Sequence, residues 1–169
     1  LQYISSEEHK SPLDFFSYHL YGRTPENVRE TVEKGESVLE KYGYAGTETI
    51  LNEWNYVKEW VGPVWEYSLD VEKKLKGASF ALSVMCISQA LPVDMLMYYD
   101  ARPCGMNGLF DQKTFTPLKP YYVFEAFSKL KDMGNYVKID AKNKTEYPAI
   151  YIWYFLSFFC FITFKNVSL

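Results

Sequence analysis

The chain has 169 residues and a formal net charge of −3, which is the size of one domain or of part of one. Acidic and basic residues are mixed along it without a basic stripe, so the charge pattern argues against a nucleic-acid partner. Its three cysteines are widely spaced and its two histidines are too few for a histidine metal site, so we expect no disulfide framework, no metal and no cofactor.

The spacing of apolar residues predicts helices and strands that alternate along the chain. Thr24-Pro25-Glu26 is typical of a helix start, with Thr as the N-cap, Pro at the first helical position and an acid in the first turn. Gly43 is expected to stop that helix. The predicted elements, in chain order, are the end of a helix at residues 1–10, a strand at 13–19, a helix from 24 to about 42, a strand at 48–54, a helix at about 68–90, a strand at 93–99 and a helix at 119–131.

Strands that alternate with helices predict a parallel sheet, whose ligand site lies at the carboxyl ends of the strands. Each predicted strand ends on polar and aromatic residues, most notably at Asn52-Glu53-Trp54. A carboxylate at a strand end, with aromatics beside it, is the arrangement needed to attack a sugar ring. The three strand ends carry Tyr18, His19 and Tyr21; Asn52, Glu53 and Trp54; and Tyr99, Asp100 and Arg102.

Aromatic residues make up 18% of the chain, with fifteen tyrosines and four tryptophans. Carbohydrate sites use aromatic faces, because the C–H surfaces of sugars are apolar and their hydroxyls need hydrogen bonds. On composition alone, an aromatic-rich core or an interface explains this excess better than a sugar site does.

The pattern changes after Gly134. We expect residues 1–134 to be one barrel-like unit, residues 135–148 to begin a β-type accessory domain with a strand at 136–140, and residues 149–169 to be an irregular apolar tail. The apolar run at 149–164 is shorter than the ~20 residues that span a bilayer. It is therefore either a marginal membrane anchor or sequence from outside the original reading frame. We favour the second reading, and a soluble parent protein over a membrane protein; the compartment stays unknown.

Taken together, these segments resemble strands six to eight of a (β/α)8-barrel glycoside hydrolase of the large retaining clan. The resemblance is to family 39, which holds the β-xylosidases and α-L-iduronidases. It rests on Phe16-Ser17-Tyr18-His19-Leu20-Tyr21, Leu51-Asn52-Glu53-Trp54-Asn55, Tyr98-Tyr99-Asp100-Ala101-Arg102-Pro103, Gly108-Leu109-Phe110-Asp111 and Pro117 to Leu130. The implied fold is α/β, a partial (β/α)8 barrel with flanking helices, and the implied partner is a carbohydrate.

The resemblance also implies roles for the strand-end residues. Glu53 would be the nucleophile of a retaining O-glycoside hydrolase. The implied substrate-binding residues are His19, Tyr21, Asn52, Trp54, Tyr99 and Asp100. A retaining enzyme also needs a general acid/base, which the family carries at the end of strand four. This chain begins near the fifth helix, so we expect it to be inactive alone.

Alternatives stay open at this point. Glu53 could be a structural carboxylate paired with Arg102, and Asp100 could instead pair with Arg102 to fix the loop. His19, Trp54 and Tyr99 could be core residues. The chain as a whole could be a non-catalytic, truncated or degenerate product, or an interaction protein tethered to a membrane by its tail.

Overall fold

Three parallel strands form the centre of the structure, a computed structural model that describes residues 1–132, 136–138 and 153–155. The strands are β1 (Phe15–Gly22), β2 (Glu48–Tyr56) and β3 (Met95–Tyr98), and they lie side by side in that order. The predicted parallel order is thereby confirmed. This α/β arrangement, a parallel sheet with a helical connection after each strand, is compatible with part of a barrel.

Among the described residues, four α-helices accompany these strands: α1 (Pro25–Lys41), α2 (Gly62–Val71), α3 (Leu75–Ser88) and α4 (Lys119–Asp132). α1 begins as the sequence predicts, since Thr24 is the N-cap and the Asn27 Oδ1 accepts the backbone N–H groups of Arg23 and Thr24 at 3.1 and 3.2 Å. These bonds satisfy donors that precede the first turn of the helix. α1 and α4 match their predicted bounds to within about two residues.

Two helix predictions were wrong. The N-terminal segment holds only a short 3₁₀ helix, Glu7–His9, in place of the expected end of an α-helix. The helix expected at about 68–90 is two helices, α2 and α3, which are separated by a turn at 72–74. A Cβ on Gly77 would lie 1.8 Å from the carbonyl oxygen of Glu72. The backbone therefore turns so tightly there that only glycine fits at position 77.

The hydrophobic core lies between one face of the sheet and the helices. α3 is buried along most of its length and contacts β2, α1 and α4. Its neighbours in the core are Val28 and Val32 of α1, Leu51, Trp54 and Tyr56 of β2, and Val123 of α4. The opposite face of the sheet is open, because Phe15, Met95 and Met97 are each about half exposed on it.

A β-bulge in β2 decides which side chains face the core. Tyr18 is paired with Leu51 and the next residue, His19, is paired with Glu53, so Asn52 is an extra residue in β2. Successive side chains of a regular strand alternate between faces, which would put Leu51 and Glu53 on the same face. The extra residue instead leaves Leu51 and Trp54 on the helix-covered face, three positions apart, and turns Glu53 to the open face.

A second sheet pairs β4 (Tyr136–Lys138) with β5 (Trp153–Phe155) in antiparallel register. β4 agrees with the strand expected at 136–140. The accessory domain expected at 135–148 and the tail expected at 149–169 otherwise lie outside the described residues. Within the described ranges, no helix combines the length and apolar character that a membrane crossing requires.

Candidate active site

Glu53 is the centre of the polar cluster at the carboxyl ends of the strands. The Tyr21 hydroxyl donates a hydrogen bond to its Oε2 at 2.8 Å, and the His19 Nδ1 lies 3.2 Å from the same oxygen. His19 and Tyr21 belong to β1 and Glu53 to the adjacent β2, whose bulge brings the carboxylate to their face of the sheet. The expected proximity of Glu53 to these two residues is therefore confirmed, whereas its catalytic role stays a prediction.

Burial and the Glu53 carboxylate together keep Tyr21 in its phenol form. Desolvation is the larger cause that raises the pKa of Tyr21 above its usual range, and the hydrogen bond to Glu53 raises it further. Tyr21 is thus a permanent donor at neutral pH. A carboxylate that accepts such a bond is fixed in orientation, while 29% of the Glu53 side chain remains exposed to a ligand.

The ends of β2 and β3 are joined by Asn55. Its Nδ2 donates to the Tyr99 carbonyl at 2.8 Å, and its Oδ1 accepts the backbone N–H of Tyr56 at 2.7 Å. Tyr99 thereby stays next to Tyr21, with the two rings edge to face at 6.4 Å between centroids. This contact places Tyr99 beside the cluster around Glu53, as the sequence predicts.

Asp100 is engaged by Arg102. The guanidinium Nε donates to its Oδ2 at 2.7 Å, and the backbone N–H of Arg102 donates to its Oδ1 at 3.0 Å. The Arg102 guanidinium also lies 5.8 Å from the centre of the Tyr99 ring. The Asp100–Arg102 pair that the sequence left open is therefore present, and the alternative pairing of Glu53 with Arg102 is wrong. Asp100 is 8% exposed and shapes the loop after β3.

The structure corrects the prediction for Trp54. Its side chain is 1% exposed and packs in the core, where Tyr98 and Phe80 are its ring neighbours at 5.2 and 6.4 Å. The physical reason is the bulge at Asn52, which turns Trp54 away from the face that carries Glu53. Asn52 itself has a buried Oδ1 for which the described residues provide no hydrogen-bond partner. Its predicted contact with a sugar stays a prediction.

Sequence reasoning missed Glu72, which lies in the turn between α2 and α3. Its side chain is 2% exposed, and its Oε1 is buried without a hydrogen-bond partner in the described part of the chain. Desolvation raises the pKa of Glu72 to about 8; the Lys73 charge lowers it and the Asp100 charge raises it. Glu72 is followed by Lys73 and Lys74, a pattern typical of an exposed turn, so the sequence gave no signal of its burial.

A cavity of about 410 Å³ opens beside Tyr21, at the start of the loop that follows β2. Trp60 stands at its edge with 57% of its surface exposed. Its lining residues are Tyr21, Gly22, Arg23, Asn27, Val57, Lys58, Glu59, Trp60 and Val61. The sequence predicted no role for residues 57–61 of this loop.

The fold has a counterpart among solved structures. The chain is similar to a glucosidase from Croceicoccus marinus, with a TM-score of 0.57 and 20% identity over 76% of this chain and 27% of the glucosidase. The matched region therefore spans about a quarter of that enzyme, and the likeness is one of fold alone. No family model matches the chain, and no curated protein matches it.

The chemistry available at this end of the sheet is that of one oriented carboxylate among hydrogen-bond donors and aromatic rings. Within the described ranges, no group of three or more His, Cys, Asp or Glu side chains could hold a metal ion. Burial raises the pKa of the Cys86 thiol to about 12, so this thiol is protonated at neutral pH and is a poor nucleophile. Glu53 combines a partly exposed carboxylate with a hydrogen-bond donor that orients it.

Proposed function

We propose that this chain is the part of a retaining O-glycoside hydrolase, of the β-xylosidase-like type, that carries the nucleophile. One observation carries the proposal: the half-exposed His19 and the Tyr21 hydroxyl both contact one oxygen of Glu53 on the open face of a parallel sheet. A nucleophilic carboxylate has to be ionised and oriented toward the anomeric carbon, and these contacts provide the orientation. The glycosidase-like fold supports the same conclusion.

The acid/base partner of such a nucleophile lies about 5–5.5 Å away in retaining enzymes. Three other acidic side chains of the described residues belong to this region, and none suits that role. Asp100 is ion-paired with Arg102, Glu59 lies 3.8 Å from the Arg23 guanidinium, and Glu72 is buried at 2% exposure in the turn after α2. We therefore propose that this chain supports only the first half of the reaction, in which Glu53 displaces the leaving group.

That division suggests a direct test. A 2,4-dinitrophenyl 2-deoxy-2-fluoroglycoside needs no general acid, because its leaving group departs as an anion. The Glu53 carboxylate would attack the anomeric carbon, the glycosidic C–O bond would break, and 2,4-dinitrophenolate would leave with the electron pair. The fluorine slows hydrolysis of the glycosyl-enzyme, so the adduct accumulates and is found by intact mass and peptide mapping.

We expect the xylo- or gluco-configured reagent to label Glu53 in the full chain and to leave Glu53→Gln unlabelled. Glu48→Gln is the matched control, since Glu48 is an exposed carboxylate at the opposite end of the same strand. It should be labelled like the parent chain. Labelling at another carboxylate, or equal labelling of Glu53→Gln, would remove Glu53 from the proposed role. No labelling by either reagent would support the non-catalytic alternative.

A further inference from the structure

An exposed aromatic surface continues from the candidate active site. The Tyr21 ring, whose hydroxyl binds Glu53, meets the Trp60 ring edge to face at 5.0 Å between centroids. Trp60 is stacked on Trp65 of α2 at 5.2 Å, and yet 57% of its surface remains exposed. A contiguous aromatic surface rimmed by polar residues is typical of a ligand-binding groove.

We propose that Trp60 and the adjacent cavity form a second sugar subsite, which binds the unit next to the sugar held at Glu53 in a neutral oligosaccharide. This inference rests on the proposed function and extends it from single glycosides to short chains. An indole surface suits the apolar C–H face of a sugar ring, and the polar cavity wall suits its hydroxyls. The cavity of about 410 Å³ falls in the range of small-ligand sites.

The cavity wall is built before any ligand arrives. The Arg23 Nε donates to the Lys58 carbonyl at 2.8 Å, and the backbone N–H of Val57 donates to the Gly22 carbonyl at 3.0 Å. These two bonds hold the loop after β2 against the loop after β1. Trp60 lies two residues beyond Lys58, so the same bonds set the position of the indole. A preformed wall lowers the entropy cost of binding.

The wall carries two cationic side chains, Arg23 and Lys58, and one carboxylate, Glu59, so it offers hydrogen-bond donors to sugar hydroxyls and only a weak positive charge. The Arg23 Nη2 lies 3.8 Å from the Glu59 Oε1, so the guanidinium charge is largely balanced. The Lys58 ammonium lies 5.7 Å from the centre of the Tyr67 ring. The guanidinium can still donate hydrogen bonds to hydroxyls, because only some of its donors are engaged by Lys58 and Glu59.

The position of the cavity argues for an oligosaccharide instead of a separate monosaccharide. One residue, Tyr21, both binds the Glu53 carboxylate through its hydroxyl and lines the cavity, where its ring contacts Trp60. A sugar on Trp60 would therefore neighbour a sugar at Glu53, as consecutive units of one chain do.

Binding by the full-length chain tests this inference, with xylose and glucose compared against xylotriose and cellotriose by saturation-transfer difference NMR and tryptophan fluorescence. We expect one trisaccharide to bind more tightly than its monosaccharide. Trp60→Ala should weaken the trisaccharide roughly tenfold, and Trp60→Phe less, while the monosaccharide is unaffected. Tyr122→Ala removes a comparably exposed aromatic from α4 and should change nothing. Circular dichroism confirms that each variant folds.

Equal trisaccharide affinity in Trp60→Ala and the parent chain overturns the subsite, as does the absence of trisaccharide binding by the parent chain. Self-association of the parent chain that Trp60→Ala abolishes would assign this surface to a protein contact and overturn it too. The proposed function is judged separately by the labelling of Glu53. Labelling without a Trp60 effect rejects the subsite alone, and a Trp60 effect without labelling rejects the hydrolase alone.

Discussion

The buried carboxyl of Glu72 should make the stability of this protein fall as the pH rises from acid to mildly alkaline. Glu72 is 2% exposed, and its Oε1 has no hydrogen-bond partner in the described ranges. Desolvation, the largest cause, raises its pKa from 4.5 to about 8, so the folded protein holds a neutral acid there at neutral pH. The variant that tests this is Glu72→Gln, which keeps the shape of the protonated side chain and cannot ionise.

The sign and the size of the effect follow from proton linkage. Because the pKa is higher in the folded state, the stabilising contribution is fully present below about pH 4.5 and is lost as the pH rises through about 8. One pKa unit corresponds to about 1.4 kcal/mol, so the free energy of unfolding changes by an upper limit of about 5 kcal/mol across this window. Any opening that lets water reach the carboxyl reduces this value.

The assay is urea denaturation of the full chain at pH 5, 6, 7, 8 and 9, followed by far-ultraviolet circular dichroism. The difference in unfolding free energy between the parent chain and Glu72→Gln isolates the contribution of Glu72 ionisation, because all other groups titrate in both proteins. We expect the parent to lose stability relative to the variant from pH 5 to pH 8, and we expect this loss to level off by pH 9. Glu66→Gln changes an exposed position of α2, and its unfolding free energy should vary with pH in parallel with that of the parent chain. A Glu72→Gln profile that also runs parallel would refute the buried neutral acid.

Three further predictions address the core, the chemistry and the tail. Trp54→Ala should lower the free energy of unfolding by about 3–5 kcal/mol in the same denaturation assay, because Trp54 is buried in the core. A loss near zero would contradict the core position and favour the predicted contact with a sugar. The chain alone should not measurably hydrolyse aryl glycosides, because it lacks general acid–base help worth ~10²–10⁴ in rate. Adding a homologous N-terminal half-barrel should restore turnover. In that hybrid, Glu53→Ala should abolish turnover, and added azide should partly restore it. Deletion of residues 149–169 should raise the soluble yield, and circular dichroism should show that the secondary structure of residues 10–132 is unchanged. If the shortened chain unfolds instead, the tail belongs to the core.

The element order of residues 11–132 was predictable because its signals are local. The N-cap and proline at Thr24-Pro25 and the apolar period of α1 depend only on neighbouring residues, and the structure confirms them. The split between α2 and α3 was not predictable from periodicity, since both halves have helical spacing. It depends on the approach of Gly77 to the Glu72 backbone, which is a contact within the folded turn.

In the candidate site, too, the sequence predicted which residues lie at the strand end but not how their side chains are oriented. The sequence places Asn52, Glu53 and Trp54 at one strand end, but it does not show which of them face the same way. In a regular strand the core residue Leu51 would share its face with Glu53, and the carboxylate would be buried against α3 at a high cost in desolvation. The extra residue at Asn52 exchanges the faces, so that the indole enters the core and the carboxylate reaches the Tyr21 hydroxyl. The bulge places both side chains at once, although the described residues provide no hydrogen-bond partner for the Trp54 Nε1. The irregularity of the strand is what brings the Glu53 carboxylate to the face that carries Tyr21.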